Sequence, residues 1–199
     1  QVLPYVLPKF FAKYPHVDIE LIESGSAETE KLLLEGKVDI TCMTTTPRHE
    51  ELQYILVENE ELVLLTSKNT AIARRIPNGT PISILEARDE NFISNKVGHS
   101  VRVIQDSLFV SHNISPKILL ETASIEIEKK VTIACNAVMI CPLNYIEKDG
   151  NFRSQAHIYP LKDIDSKRHC YICHRKDLYL AKYMRDFISI LSEVENPFL

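Results

Sequence analysis

Residues 17 to 46, VDIELIESGSAETEKLLLEGKVDITCMTTT, constrain the chain more than any other stretch, because they read as strand, turn, helix, turn, strand. Val17, Ile19 and Leu21 alternate with Asp18, Glu20 and Ile22 at the period of two that a strand imposes. Ser24-Gly25-Ser26 breaks that run, Ser26 is a good helix N-cap, and Glu28 and Glu30 bring negative charge to the positive end of the helix. Gly36 closes the helix, and Val38, Ile40, Cys42 and Met43 form a mostly apolar strand suited to a buried parallel sheet. A βαβ unit of this kind places small ligands at the carboxyl ends of its strands. Those ends are Ser24-Gly25-Ser26 and Thr44-Thr45-Thr46, which offer hydroxyls and bare backbone.

Composition removes several classes of function. A chain of 199 residues, 45% hydrophobic and 25% charged, can bury a sizeable core as one large domain or two small ones. Its formal net charge of -4 and scattered basic residues leave no electrostatic footprint for nucleic acid. No apolar run reaches the roughly 18 residues of a membrane span, and QVLPYVLPKFF lacks the basic start and cleavage site of a secretion signal. Five cysteines at irregular spacing fit a reducing cytoplasm rather than a disulfide framework.

In chain order, Leu3, Val6, Leu7, Phe10 and Tyr14 fall at helical spacing, with Pro8 implying a late start or a kink. Leu52 to Val57 and Glu61 to Thr66 read as two strands separated by Glu58-Asn59-Glu60. The polar stretch SKNTAIARRIPNGTP then crosses into a second unit that repeats the first. Ile82 to Ala87 reads as a short helix and Asn91 to Ser94 as a strand ending in Lys96-Val97-Gly98-His99-Ser100. A helix with Val101, Ile104, Leu108 and Phe109 follows, then a strand from Pro116 to Leu120. Ser124 caps a further helix whose apolar positions are Ile125, Ile127 and Val131. Val138 to Ile140, His157 to Leu161 and Arg168 to His174 read as strands, and Leu180, Tyr183, Met184, Phe187 and Leu191 mark a closing helix.

The run Pro4 to Phe10, Tyr14-Pro15, Val17, Leu21, Glu23, Gly25-Ser26-Ala27-Glu28, Leu32 to Leu34, Glu35-Gly36 and Asp39 resembles the effector-binding domain of a LysR-type transcriptional regulator. Leu62 to Leu65, Gly98, Glu121, Ser124, Val131, Pro142, Leu180 and Phe187 continue the family's order, so the resemblance covers nearly the whole chain. It implies an α/β fold of two Rossmann-like subdomains joined by two crossover segments, like type 2 periplasmic binding proteins, with a small-molecule cleft between them. Subdomain I is then residues 1–66 plus 166–199, and subdomain II residues 67–165. The family's winged helix-turn-helix would precede Gln1, so DNA contact is expected only through that missing part, and self-association as a homodimer or higher homo-oligomer is implied as well. The expected function is sensing of a small effector in a cytoplasmic regulator. A solute-binding protein of a transport system, with the same fold, is the alternative.

Ser24, Gly25 and Ser26 present hydroxyls and amides at a helix N-terminus, a ready anion site. The family uses the position matching Ser26 to touch effector carboxylates, although capping alone also explains a serine there. Thr44 and Thr45 match a polar position that faces the family's cleft, and Val97, Gly98, His99 and Ser100 offer a second helix N-terminus. An anionic or polar effector is therefore expected. The family's peroxide sensor carries a reactive cysteine after a Gly-His pair, whereas here Gly98-His99 precede Ser100. Cys170-Tyr171-Ile172-Cys173-His174 spells a haem-attachment pattern, but residues three apart in a strand point to opposite faces, and both sulfurs read as packing. No Gly-rich phosphate loop, metal-spaced acid and histidine cluster or nucleophile elbow is present, so neither cofactor, metal nor enzymatic activity is expected.

Overall fold

The computed structural model describes residues 3–44, 46–147, 150–164 and 167–193. Contacts divide the chain into two units, Gln1–Glu58 with His169–Leu199, and Asn59–Arg168.

In the first unit α1 (Leu3–Lys13) runs straight through Pro8, so the helix neither starts late nor stops there. The bond that Pro8 forfeits to the carbonyl of Pro4 is offset by packing on one stripe. Val6 and Phe10 are buried against α8 (Lys182–Glu193), with the Phe10 and Phe187 rings edge to face at 5.0 Å, while Phe11 stays partly exposed. Tyr14 Oη donates to Asp186 at 2.5 Å, and Lys13 pairs with the same carboxylate. Residues 17–25 belong to no strand, contrary to the alternating pattern. Among the described residues no strand pairs with them, and Ile19, Leu21 and Ile22 remain exposed. Helix α2 (Ser26–Leu34) follows, then β1 (Thr41–Met43), which pairs antiparallel with β7 (Lys167–Arg175), Thr41 opposite Cys173. The parallel βαβ unit expected over 17–43 is therefore not formed. Leu33, Met43, Leu52 and Cys173 pack together under α2.

The two strands expected over 52–66 are one, β2 (Leu52–Ser67), 16 residues long. Glu58-Asn59-Glu60 holds neither glycine nor proline, and no turn-forming geometry interrupts an extended run of ordinary residues. In the second unit β2 lies between β5 (Val138–Pro142) and β6 (Ala156–Pro160), antiparallel to both, with Leu64 opposite Ile140 and Tyr159. Beyond β5 come β3 (Phe92–Asn95) and the edge strand β4 (Ile118–Thr122), parallel to each other. The helix between them is α4 (Ser100–Ser111), so this strand, helix, strand sequence does close as a βαβ unit. Side chains along β2 alternate between two cores. Leu62 and Leu64 join Phe92, Leu108, Phe109 and Ile140 on one face, and Val63 and Leu65 join Met139, Cys141, Ile146 and Phe152 on the other. The second face is covered by α5 (Ile125–Ala134), which Ser124 caps by accepting from the amide of Ile127. A short helix α3 (Ala71–Arg75) and a 3-10 turn (Ile84–Ala87), shorter than the helix expected from Ile82, border the first face, and two single-turn helices, α6 (Asn144–Glu147) and α7 (Gly150–Arg153), join β5 to β6.

Among the described residues no helix is long and apolar enough to cross a membrane.

Candidate functional site

Ser24-Gly25-Ser26 ends the non-strand segment and starts α2. Gly25, not Ser26, is the N-cap, at φ -68° and ψ 155°, and a glycine has no side chain with which to cap. Ser26 is the first helical residue, which frees its hydroxyl from the duty the sequence assigns it. That hydroxyl lies 3.4 Å from Thr44 Oγ1, so the ends of two segments 18 residues apart meet. Ser24 Oγ bonds Thr29 Oγ1 at 2.7 Å, bracing the loop over the first turn. Thr45 lies outside the described residues. One turn further along α2, Glu30 is buried and held by Arg48 and by His49, whose Nε2 is 3.6 Å away. Sequence reasoning placed Glu30 only as a charge near the helix start. Its spacing of four from Ser26, facing the same side, was the signal that it belongs beneath this loop.

The second unit presents a similar arrangement. Lys96-Val97-Gly98-His99 forms a turn in which the His99 amide donates to the carbonyl of Lys96 at 3.2 Å. Gly98 has φ +94°, a conformation L side chains seldom adopt, while nothing lies within 4 Å of where its Cβ would be. The turn thus needs glycine for its backbone and not for space. His99 is the N-cap of α4 without a side-chain capping bond, and Val97 is 75% exposed. Ser100 opens the helix, and its Oγ accepts from Arg168 Nη1 at 2.7 Å. Arg168, on β7, also donates through Nε to Glu60 Oε2 at 2.6 Å, and the two charged side chains are 9% and 6% exposed. A buried guanidinium fixed by a buried carboxylate therefore stands at the start of α4. Neither residue was picked from the sequence, and no local spacing joins positions 60, 100 and 168.

The structure accordingly brings Ser24, Gly25, Ser26 and Thr44 together in one unit and Val97, Gly98, His99 and Ser100 in the other. Elsewhere the capping differs: Thr70, Ser83 and Ser124 all accept a backbone amide at the start of α3, the 3-10 turn and α5. Helices α2 and α4 begin instead without a hydrogen bond from the N-cap side chain. Among the described residues no group of three or more His, Cys, Asp or Glu could hold a metal ion. Cys170 is partly buried and Cys173 buried within β7, and burial pushes the Cys173 thiol up to about 12, far from a reactive thiolate.

Residues 1–195 match the model of the family described as "LysR substrate binding domain". A probable RuBisCO transcriptional regulator from Trieres chinensis is 25% identical over 202 residues, covering 98% of this chain and 64% of that protein. The chain spans between 40% and 64% of the length of the first relatives it matches. Among solved structures, the Synechocystis PCC6803 CcmR regulatory domain in complex with 2-PG superposes with a TM-score of 0.80 at 22% identity, covering 96% of this chain and 89% of that one. The effector binding domain of QuiR in complex with shikimate gives 0.76 at 18% identity, over 100% and 93% of the two chains.

Proposed function

Because the chain belongs to the LysR substrate-binding domain family, we propose that it is the sensing part of a transcriptional regulator and that it binds its effector without turning it over. The subdomains of one effector-binding domain are then residues 1–66 plus 166–199 and 67–165, which differ from the contact-defined units, Gln1–Glu58 with His169–Leu199 and Asn59–Arg168, in the residues next to each crossing. The single observation that carries the reading is the pair of helix starts lacking a side-chain cap. Ser26 and Thr44 accompany the first, and Ser100 with Arg168 the second. Amides, hydroxyls and a guanidinium favour a small organic anion, and a carboxylate such as the shikimate named for QuiR suits that chemistry. Effector binding shifts the population of conformations the protein adopts, and the regulator reads that shift. Contact with DNA belongs to parts of the protein outside this sequence, and association into a homodimer or higher oligomer in the cytoplasm completes the reading.

A thermal-shift screen of small carboxylates, phosphates and amino acids tests it. A ligand at about 100 times its Kd adds about 2.7 kcal/mol to the folded state. At least one organic anion should raise Tm, and at least one of Ser26→Ala, Thr44→Ala and Ser100→Ala should reduce that rise. If every stabilising anion kept its full effect in all three variants, the site assignment would fail.

A further inference from the structure

Helix α5 is docked through polar groups as well as through Ile125 and Ile133, which pack on the second core. The sequence turns Ile125, Ile127 and Val131 inward, but the structure buries Glu128, Lys129 and Thr132 and leaves Ile127 half exposed. Glu128, 1% exposed, meets the end of β3, where the side-chain amide of Asn95 donates to its carboxyl group. Thr132, one turn further on, carries a buried hydroxyl that has no hydrogen-bond partner among the described residues.

The charges around Glu128 are committed elsewhere. On α5 itself, Lys129 Nζ donates to the carbonyl of Tyr145 at 3.1 Å, pairs with Glu126 at 2.8 Å and lies 5.4 Å from the centre of the Phe152 ring. On β5 the neighbour is Cys141, a buried thiol. Arg168, whose charge reaches Cys141, is bound to Glu60 and Ser100. On β4, Glu121 is level with Ser94 and is engaged by Arg102 of α4. Burial pushes the Glu128 carboxyl up to about 8, against the downward pull of the Asn95 amide. Asn95 links this acid to the turn beyond it, since its backbone carbonyl accepts from Arg102 Nη1 at 3.0 Å in the first turn of α4 and Lys96 follows it directly.

We propose that Glu128 is a proton-operated latch: seated as a neutral acid it docks α5 on β3, and release of its proton to solvent loosens α5 and moves the 96–100 turn through Asn95. This makes the turn at the start of α4 sensitive to pH within the second unit itself, with or without an effector. The inference needs only the geometry of that unit and survives if the effector assignment fails.

The test is a carboxyl-carbon and amide NMR titration of the 199-residue chain without ligand. The Glu128 resonance, assigned by its loss in Glu128→Gln, should titrate with a midpoint above about 7, well beyond a free glutamate. The amides of Lys96, Gly98 and Ser100 should shift with the same midpoint. Glu128→Gln, which keeps shape and neutrality, should abolish the amide shifts and slow hydrogen exchange along α5 at high pH. Asn95→Ala should leave the turn silent. Wild-type amides of Lys96, Gly98 and Ser100 that share no midpoint above about 7, readable even if the variants fold poorly, would overturn the proposal. So would amide shifts that persist unchanged in Glu128→Gln.

Discussion

Residues 17–43 and 92–122 carry the same strand, helix, strand pattern, yet only the second pair of strands closes into a parallel sheet. In the second, β3 finds β5 on one side and β4 on the other, and Phe92 and Ile93 are both fully buried there. In the first, Val17, Ile19 and Leu21 alternate regularly but meet no ladder partner among the described residues, and the following strand turns instead to β7. Alternation tells which way a side chain faces; it does not supply the neighbouring backbone that makes a strand.

The same contrast extends to how each unit holds its charges, and it can be broken experimentally. The largest effect is expected at the buried pair of the second unit. Arg168→Met strands Glu60 without its cation and should cost about 3–5 kcal/mol in urea unfolding, while the double change Glu60→Met/Arg168→Met recovers most of it. Arg48, mostly exposed opposite buried Glu30 in the first unit, should matter less, and equal losses from Arg48→Met and Arg168→Met would erase the distinction.

The pH response should separate the units next. Glu128 has its proton affinity raised, so the folded chain keeps a proton that the unfolded chain releases, and stability declines as pH rises from about 4.5 to about 8. The slope is at most about 1.4 kcal/mol per pH unit, and Glu128→Gln flattens it. Asp186 in the first unit is the opposite case. Lys13, then Tyr14, holds its carboxyl below the ordinary value, so its contribution is present above that value and is lost as pH falls through the lowered one. Acid thus loosens the α1–α8 seam while favouring the seat of α5. Hydrogen exchange at low and high pH, compared in Asp186→Asn and Glu128→Gln, measures both, and loss of protection in the same unit at both extremes would refute the assignment.

Glycine replacements come third. Gly36, at φ +70° after α2, faces the guanidinium of Arg175, which also donates to the carbonyl of Leu33 at 3.4 Å. Gly36→Ala meets both the backbone penalty and that side chain, whereas Gly98→Ala meets only the backbone penalty, on the order of 1–2 kcal/mol. Gly36→Ala should therefore shift Tm further, and the reverse order would mean that Arg175 yields freely. The smallest effects are at the caps. Ser124→Ala removes a side-chain cap and should cost about 1 kcal/mol, whereas Ser26→Ala removes none and should stay within a few tenths in denaturant midpoints.

Much of the fold was legible because local periodicity sufficed for it. Val101, Leu108 and Phe109 mark the buried stripe of α4, Ser124 caps α5 as its type suggests, and Arg168 to His174 lie in β7. What escaped the sequence depends on partners far along the chain. Glu58 to Glu60 read as a break because three polar residues interrupt an apolar run, but Glu60 is polar for the sake of Arg168, 108 positions later. On α5, Ile125 packs on the core as its type suggests, but Ile127 is half exposed and buried Glu128 escaped, because an apolar count cannot anticipate an acid whose partner is Asn95 on β3. At the candidate site, residue types and placement were readable from the glycines and serines ahead of α2 and α4. The shift of the cap from Ser26 to Gly25 was not, because both residues are acceptable caps and only the backbone angles decide between them.

The open surroundings of Gly98 have one more consequence. With φ at +94° and no atom near the missing Cβ, the position discriminates by mirror image and not by bulk. A D-alanine introduced there by chemical ligation would sit in its preferred backbone well, stiffen the turn ahead of α4 and narrow the unfolded ensemble, where the natural enantiomer is strained.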